Sequence, residues 1–305
     1  MLDVLLNTNE VLIQMRAEGQ TDSSVGPSFG PYWSWPSVSH FSDVSKRAFE
    51  IWHERLTPDL TGKFGPVRHL FVRMLYLAEG TSFSIRLLTS WAMTLQALAL
   101  ARVRLEQAIV CSYLVHEDES AGIEPFVRHI SIKRYQNTRA ALSDSGIATQ
   151  LGSVDLATLQ AEAITSQERI TPGFDIDHDR LQRKWTRLDL RAMARRRDEL
   201  TADGARISKD RLERDYVSLY KSASSIVHSD CSALSHAYLD IFPAMQPDGP
   251  AVLMPLPSWA TTSVAFTSHY DILQVFEVLR LFGIDCEDEL EELRTEWLEC
   301  IEKHL

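Results

Sequence analysis

Apolar residues along this chain recur mostly at intervals of three and four, the period that turns one face of an α-helix toward a core. No convincing run alternates with the period of two that marks a half-buried strand. From Ser37 to about Leu56, Val44, Ala48, Ile51 and Trp52 keep helical spacing, and Thr57-Pro58 stops it. Between Val67 and about Val115 the helical pattern is almost unbroken, with Gly80 as the expected break between two helices. Its second half, SFSIRLLTSWAMTLQALALARVRLEQAIVCSYL, is apolar over most of its circumference and reads as a central helix. Residues 123–144 carry Phe126, Ile130, Tyr135 and Leu142 at an imperfect helical period. Residues 154–170 follow Ser153 as the expected N-cap and stop at Thr171-Pro172-Gly173. After Asp240 a loop with five prolines intervenes, and two helices, Thr261 to Phe282 and Asp288 to Lys303, close the chain. The expected class is all-α, a helical bundle over residues 61–305. Residues 1–60 form an N-terminal helical arm and linker packed on it. Within that arm TDSSVGPSFGPYWSWPS is turn-rich, but Phe29, Tyr32, Trp33 and Trp35 are too aromatic for a free tether.

The stretch from Asp210 to Asp240 adds a polar stripe to a helical pattern. Tyr216, Tyr220, Ser224 and His228 recur every four residues, and Lys221 precedes His228 by about two turns. Leu212, Leu219, Ala223, Ile226 and Val227 supply an apolar remainder, so the stripe must meet a cleft, a partner or other buried polar groups. Arg102 and Glu106 stand four apart on the most apolar helix. They can simply pair along it, but charges there are costly without further partners, which points to a contact with the stripe.

Charge narrows the partners. The net charge of -11 argues against wholesale attraction to nucleic acid, so any such contact must be local. Between Arg180 and Arg197 eight Lys or Arg face one acid, Asp189, and Arg180, Arg183, Lys184, Arg187 and Arg191 are the best candidates for phosphate contacts. A basic run is ordinarily a solvated face, and the segment from Asp285 to His304, with nine acids and two bases, offers it an internal complement. The four cysteines are far apart, which speaks against a zinc site or disulfide framework and for a reducing cytoplasm. No metal-ligand pattern, glycine-rich phosphate loop or GxSxG elbow occurs, so no cofactor or metal is expected. Asp177-His178-Asp179 reads as acids at a helix start, and His236 as a surface or structural histidine. MLDVLLNTNEVL lacks the early cationic region of a secretory signal, and no apolar run is long enough for a membrane span.

Three strings together carry a resemblance: ARVRLEQAIV with Arg102 and Glu106, Lys184-Trp185 followed by RAMA, and YVSLYKSASSIVHSD. Their order and spacing, over roughly residues 65 to 280, resemble successive signatures of a bacterial family of unknown function: an Arg/Glu central helix, a Trp-led helix, then tyrosines before Ser and Val-His. That family is similar to the HEPN superfamily (higher eukaryotes and prokaryotes nucleotide-binding). Its members are helical bundles, often dimers, and many are endoribonucleases that use an arginine, four to six intervening residues and a histidine, without metal. The resemblance implies RNA binding, His228 as general acid/base, a homodimer, and a defence or toxin setting. Here Lys221 stands where arginine is usual and Ser222 where a polar amide or histidine is usual. Lysine offers positive charge without the bidentate fork, which Arg102 could supply if its helix packs beside His228. Tyr220, Ser224 and Glu106 complete the expected site. The alternative is a non-catalytic helical interaction module whose stripe binds a protein partner or small ligand.

Overall fold

A computed structural model describes residues 36–56, 66–91, 93–143, 155–173, 181, 184–220, 223–224 and 257–304. The helices are α1 (Pro36–Leu56), α2 (Pro66–Ser90), α3 (Thr94–His116), α4 (Ile123–Leu142), α5 (Leu156–Ile170), α6 (Leu190–Leu200), α7 (Leu212–Asp215), α8 (Pro257–Leu281) and α9 (Glu287–His304). A 3₁₀ turn, Ile207–Lys209, precedes α7, and a π-helical turn, Tyr216–Tyr220, follows it directly. No strand occurs among the described residues, and the architecture is an all-α bundle. Three helices begin at a proline, Pro36, Pro66 and Pro257, whose missing N–H is not needed in a first turn. Residues 32–305 form one compact unit; residues 1–31, a separate unit that includes most of the expected arm, lie outside the described residues.

The centre of the bundle is α8, which packs against α1, α2, α3 and α9. From Ala260 to Leu279 nearly every side chain is buried, including the polar Ser263, Thr267, Ser268, His269, Asp271, Gln274 and Glu277. The expected central helix, α3, is heavily buried too and joins α2, α6 and α8. Val44, Phe49, Trp52, Phe71, Leu75, Leu105, Ile109, Tyr270, Leu273 and Phe276 belong to the main apolar core, so α1 is built into the same core as α3 and α8. A smaller core of Ile132, Tyr135, Leu159 and Ala163 holds α4 to α5.

The two acids inside α8 meet specific partners on neighbouring helices. Asp271, with no exposed side-chain surface, accepts from Ser45 Oγ on α1 (2.6 Å), Ser82 Oγ on α2 (2.8 Å) and Arg104 Nε on α3 (2.9 Å). Arg104 Nη2 also donates to the Tyr270 carbonyl at 3.0 Å. Two turns further along α8, Glu277 receives Arg197 Nη2 from α6 and lies 3.1 Å from His116 Nε2. Arg197 donates in addition to Ser112 Oγ (2.7 Å) and to the Asp210 carbonyl (2.6 Å). Full burial would raise the Glu277 carboxyl, but Arg197, then His116 and the Ser112 hydroxyl, outweigh it and hold the group down from 4.5 to about 2.

Several sequence expectations need correcting. Gly80 does not break the chain; it sits exposed inside α2, where one glycine costs about 1 kcal/mol against alanine, too little to stop a helix anchored by Leu75, Ala78 and Ile85. The break follows Ser90, whose hydroxyl bonds the Leu87 carbonyl while Met93 N–H reaches back to Leu88 O at 2.9 Å. The cap of α5 is Asp155, accepting from Thr158 N–H at 3.1 Å; Ser153 lies outside the described residues. The tryptophan-led segment is not helical before Leu190, because Asp189 caps α6 by accepting from Ala192 N–H at 2.8 Å. Among the described residues the acidic tail pairs with α1, through Arg47–Glu296 and Arg55–Glu289, both at 2.6 Å, and with none of the basic run.

Asp271→Ala should leave Arg104 and two hydroxyls without their shared acceptor and lower stability by roughly 3–5 kcal/mol, measured by urea unfolding. A loss below about 1 kcal/mol would contradict the buried geometry. Glu277 sets a second expectation. Its folded-state pKa is depressed, so its contribution is complete above 4.5 and is lost as pH falls toward about 2. Stability measured across that window should fall more steeply for the wild type than for Glu277→Gln.

Candidate functional site

The expected pairing of α3 with the polar stripe is built around Arg102. Its Nη2 donates to Tyr220 Oη at 2.8 Å, its Nη1 reaches Ser224 Oγ at 3.4 Å, and its Nε bonds Glu106 Oε1 at 3.2 Å. The guanidinium carbon lies 4.3 Å from the centroid of the Tyr220 ring, close enough for a cation–π contribution. Tyr220 stacks in turn on Tyr216, centroids 4.4 Å apart and planes at 19°. The stack lies within the π-helical turn, a local distortion frequent at functional sites. Burial, then the neighbouring Tyr220, raises the Tyr216 hydroxyl, which stays protonated near neutrality. Three of the five guanidinium donors of Arg102 are thus engaged by described residues. Its side chain retains 16% exposure, against 37% for Glu106.

Tyr216, Tyr220 and Glu106 form one wall of a cavity of about 880 Å³ between α3, α4, the 184–189 segment, α6 and the π turn. Arg102 does not line it and acts there by holding Tyr220. Trp185 supplies a second wall and is locked by an edge-to-face contact with Phe126 (5.1 Å, 86°) and a tilted one with Tyr113 (5.8 Å). Thr186 helps shape this segment by accepting from Leu188 N–H at 3.2 Å. His129 is a buried member of the lining, and Lys133, Arg134 and Lys184 are exposed members.

Four of the six described cations of the basic run are paired within the molecule. Arg191 and Arg195 both bond Glu213, at 3.0 and 2.7 Å, Arg196 bonds Glu117 at 3.0 Å, and Arg197 is the buried partner of Glu277. Hydrogen bonding from Arg195 is the main reason that the Glu213 carboxyl sits at about 2. Among the proposed phosphate contacts, Lys184 is exposed at the cavity, Arg187 is exposed without lining it, and Arg191 is paired. Arg180, Arg183, Lys221, His228 and Cys231 lie outside the described residues. The structure therefore brings together Arg102, Glu106, Tyr220 and Ser224, four of the six residues expected at the stripe. Sequence reasoning overlooked Lys133 and Arg134; the available signal was a polar face of α4 carrying adjacent cations and Asn137, one turn on.

A family model described as a family of unknown function (DUF5677) matches residues 65–244, more than half of the chain. The chain belongs to this family. The match spans every residue of the cavity, from Glu106 to Tyr220, and ends before α8. Comparisons with curated proteins and with solved structures find no match. Among the described residues, no group of three or more His, Cys, Asp or Glu side chains could hold a metal ion, and no helix is long and apolar enough to cross a membrane.

Tyr220→Phe keeps a ring beside Arg102 but removes the hydroxyl acceptor, and should lower stability by about 1–2 kcal/mol. Tyr220→Leu, which also loses the ring contacts, should cost more. Equal unfolding midpoints for wild type and both variants would show that Arg102 does not depend on this tyrosine.

Proposed function

We propose that this chain is an HEPN-like RNA-binding protein that cleaves RNA without a metal ion. The observation that supports this reading best is the Arg102 guanidinium seated on Tyr220 and Ser224, two members of the Tyr–Ser–His stripe, beside an aromatic and cation-lined cavity. Cleavage by the neighbouring 2′-hydroxyl needs a group to take its proton, a group to protonate the leaving 5′-oxygen, and positive charge against the phosphate. On this proposal His228 carries the proton transfers, since imidazole titrates near neutrality. Lys221 supplies positive charge against the phosphate, and Arg102 orients Tyr220 and Ser224 while adding its own charge. In a homodimer, two such histidines would divide the acid and base roles. The setting, a bacterial cytoplasm and a defence or toxin role, is carried by the resemblance alone.

A second reading, a non-catalytic helical interaction module for a protein partner or small ligand, is favoured by two observations. Lysine replaces the usual arginine seven residues before His228, and α6 commits Arg191, Arg195, Arg196 and Arg197 to internal carboxylates. Incubation of the purified protein with a mixed RNA pool in chelator separates the readings. The cleavage reading expects fragments ending in 2′,3′-cyclic phosphate, none from His228→Ala, and a rate lower by about 10²–10³-fold in Lys221→Ala. Cleavage that persists in His228→Ala removes that residue from the mechanism. RNA left intact by the wild type favours the interaction module.

A further inference from the structure

We infer that the cavity walled by Trp185, Tyr216 and Tyr220 binds one unstacked nucleoside monophosphate unit, with its base inside and its phosphate at the rim formed by Lys133, Arg134 and Lys184. The inference rests on the RNA-binding reading above and gives it a binding pocket. The unit is a free mononucleotide or a single residue of an RNA strand; the chemistry recognised is the same.

Size, wall chemistry and charge each limit what fits. At about 880 Å³ the cavity falls within the roughly 300–1,000 Å³ of small-molecule sites, which suits one nucleotide and excludes a duplex. Trp185 is fixed by Phe126 and Tyr113, and the stacked tyrosines by Arg102, so the aromatic surfaces are set before a ligand arrives. Rigid aromatic walls suit a flat base, whichever base it is.

The rim differs from its surroundings. Nearby Arg128, Arg191, Arg195 and Arg196 are each matched to a glutamate, whereas Lys133, Arg134 and Lys184 make no ion pair among the described residues. Three such cations around one opening, on a chain of net charge -11, call for an anion at that spot. The lining also includes Glu106 and Asp189. One oxygen of each is engaged, by Arg102 Nε and by Ala192 N–H, and a carboxylate has further acceptor capacity. These acids, Glu106 half-buried and Asp189 exposed, disfavour a bare phosphate or sulfate beside them. They favour a ligand that keeps its anion at the rim and offers ring N–H or amino donors within, as a nucleobase does.

The test is calorimetric titration of the full chain with AMP, GMP, CMP, UMP, ribose 5-phosphate and a five-nucleotide RNA. At least one nucleoside monophosphate should bind, one per chain, about tenfold or more tighter than ribose 5-phosphate. Replacing two of the three rim residues, Lys133→Ala with Arg134→Ala, should weaken that binding by about tenfold or more, with an unchanged melting temperature because both side chains are exposed. Trp185→Phe should retain more affinity than Trp185→Leu, a comparison made only between variants whose circular dichroism matches the wild type. Ribose 5-phosphate binding as tightly as every nucleotide, or no loss in the rim variant, would overturn the pocket. RNA cleavage by a wild type that binds no mononucleotide also overturns it, while the ribonuclease reading survives. Mononucleotide binding with no RNA bound or cleaved upholds the pocket for a free nucleotide and removes the RNA reading.

Discussion

Asp271 is the point on which the bundle turns. Its carboxylate collects one donor from each of three helices, Ser45 of α1, Ser82 of α2 and Arg104 of α3, in a place closed to bulk solvent. A buried ion pair need add little net stability over well-packed apolar groups, but breaking one is expensive. Sliding α8 by one residue would face Arg104 with the side chain of Tyr270 or Ile272 in place of the acid. That penalty fixes the rotation and height of α8 against three neighbours at once, which apolar packing alone specifies less sharply.

A second ionic chain runs from this core to the candidate site. Glu277 on α8 holds Arg197 of α6, and Arg197 bonds the Asp210 carbonyl just before α7. Asp198 then accepts from Leu212 and Glu213 N–H at 3.1 and 3.0 Å, capping α7, while Arg294 of α9 grips the Asp210 carboxylate at 2.7 and 2.9 Å. The entrance to the π turn is therefore held by α6, α8 and α9 together. Tyr220 leaves it at a set angle, with Tyr216 stacked on it, and meets Arg102, only two residues from Arg104 on α3. A separation of two residues places their Cβ atoms about 200° apart around a helix. One arginine thus locks the core, and the other positions the cavity wall.

This arrangement explains what the sequence disclosed. Helical period located most helices, and the four-residue recurrence of Tyr216, Tyr220 and Ser224 singled out residues that do share Arg102 or its partner. The same period could not tell Arg102 from Arg104, since a charge on an apolar helix does not announce which way it faces. Nor did it reveal that Asp271 and Glu277 are interior, because Ser, Thr, His, Gln and acids on α8 look like the polar side of an ordinary amphipathic helix until their partners are known. Gly80 misled because a local propensity of about 1 kcal/mol yields to the packing of the rest of α2. The break after Ser90 rests on backbone bonding that residue type barely signals.

Charge was hardest to read, for a physical reason. The dense run from Arg180 to Arg197 stands out in the sequence, yet four of its cations are matched to Glu213 of α7, Glu117 just after α3 and Glu277 of α8. Lys133, Arg134 and Lys184 are less conspicuous but make no ion pair among the described residues. Unmatched charge, rather than local density, is what a phosphate would meet. Three cations can engage only a few phosphates, so electrostatics alone would give weak binding that salt readily removes. Any substantial affinity at this cavity must then come from Trp185 and the tyrosine stack, whose contacts salt does not screen. The ordering of those rings by Phe126, Tyr113 and Arg102 is therefore as much a part of the proposed recognition surface as the cations at its rim.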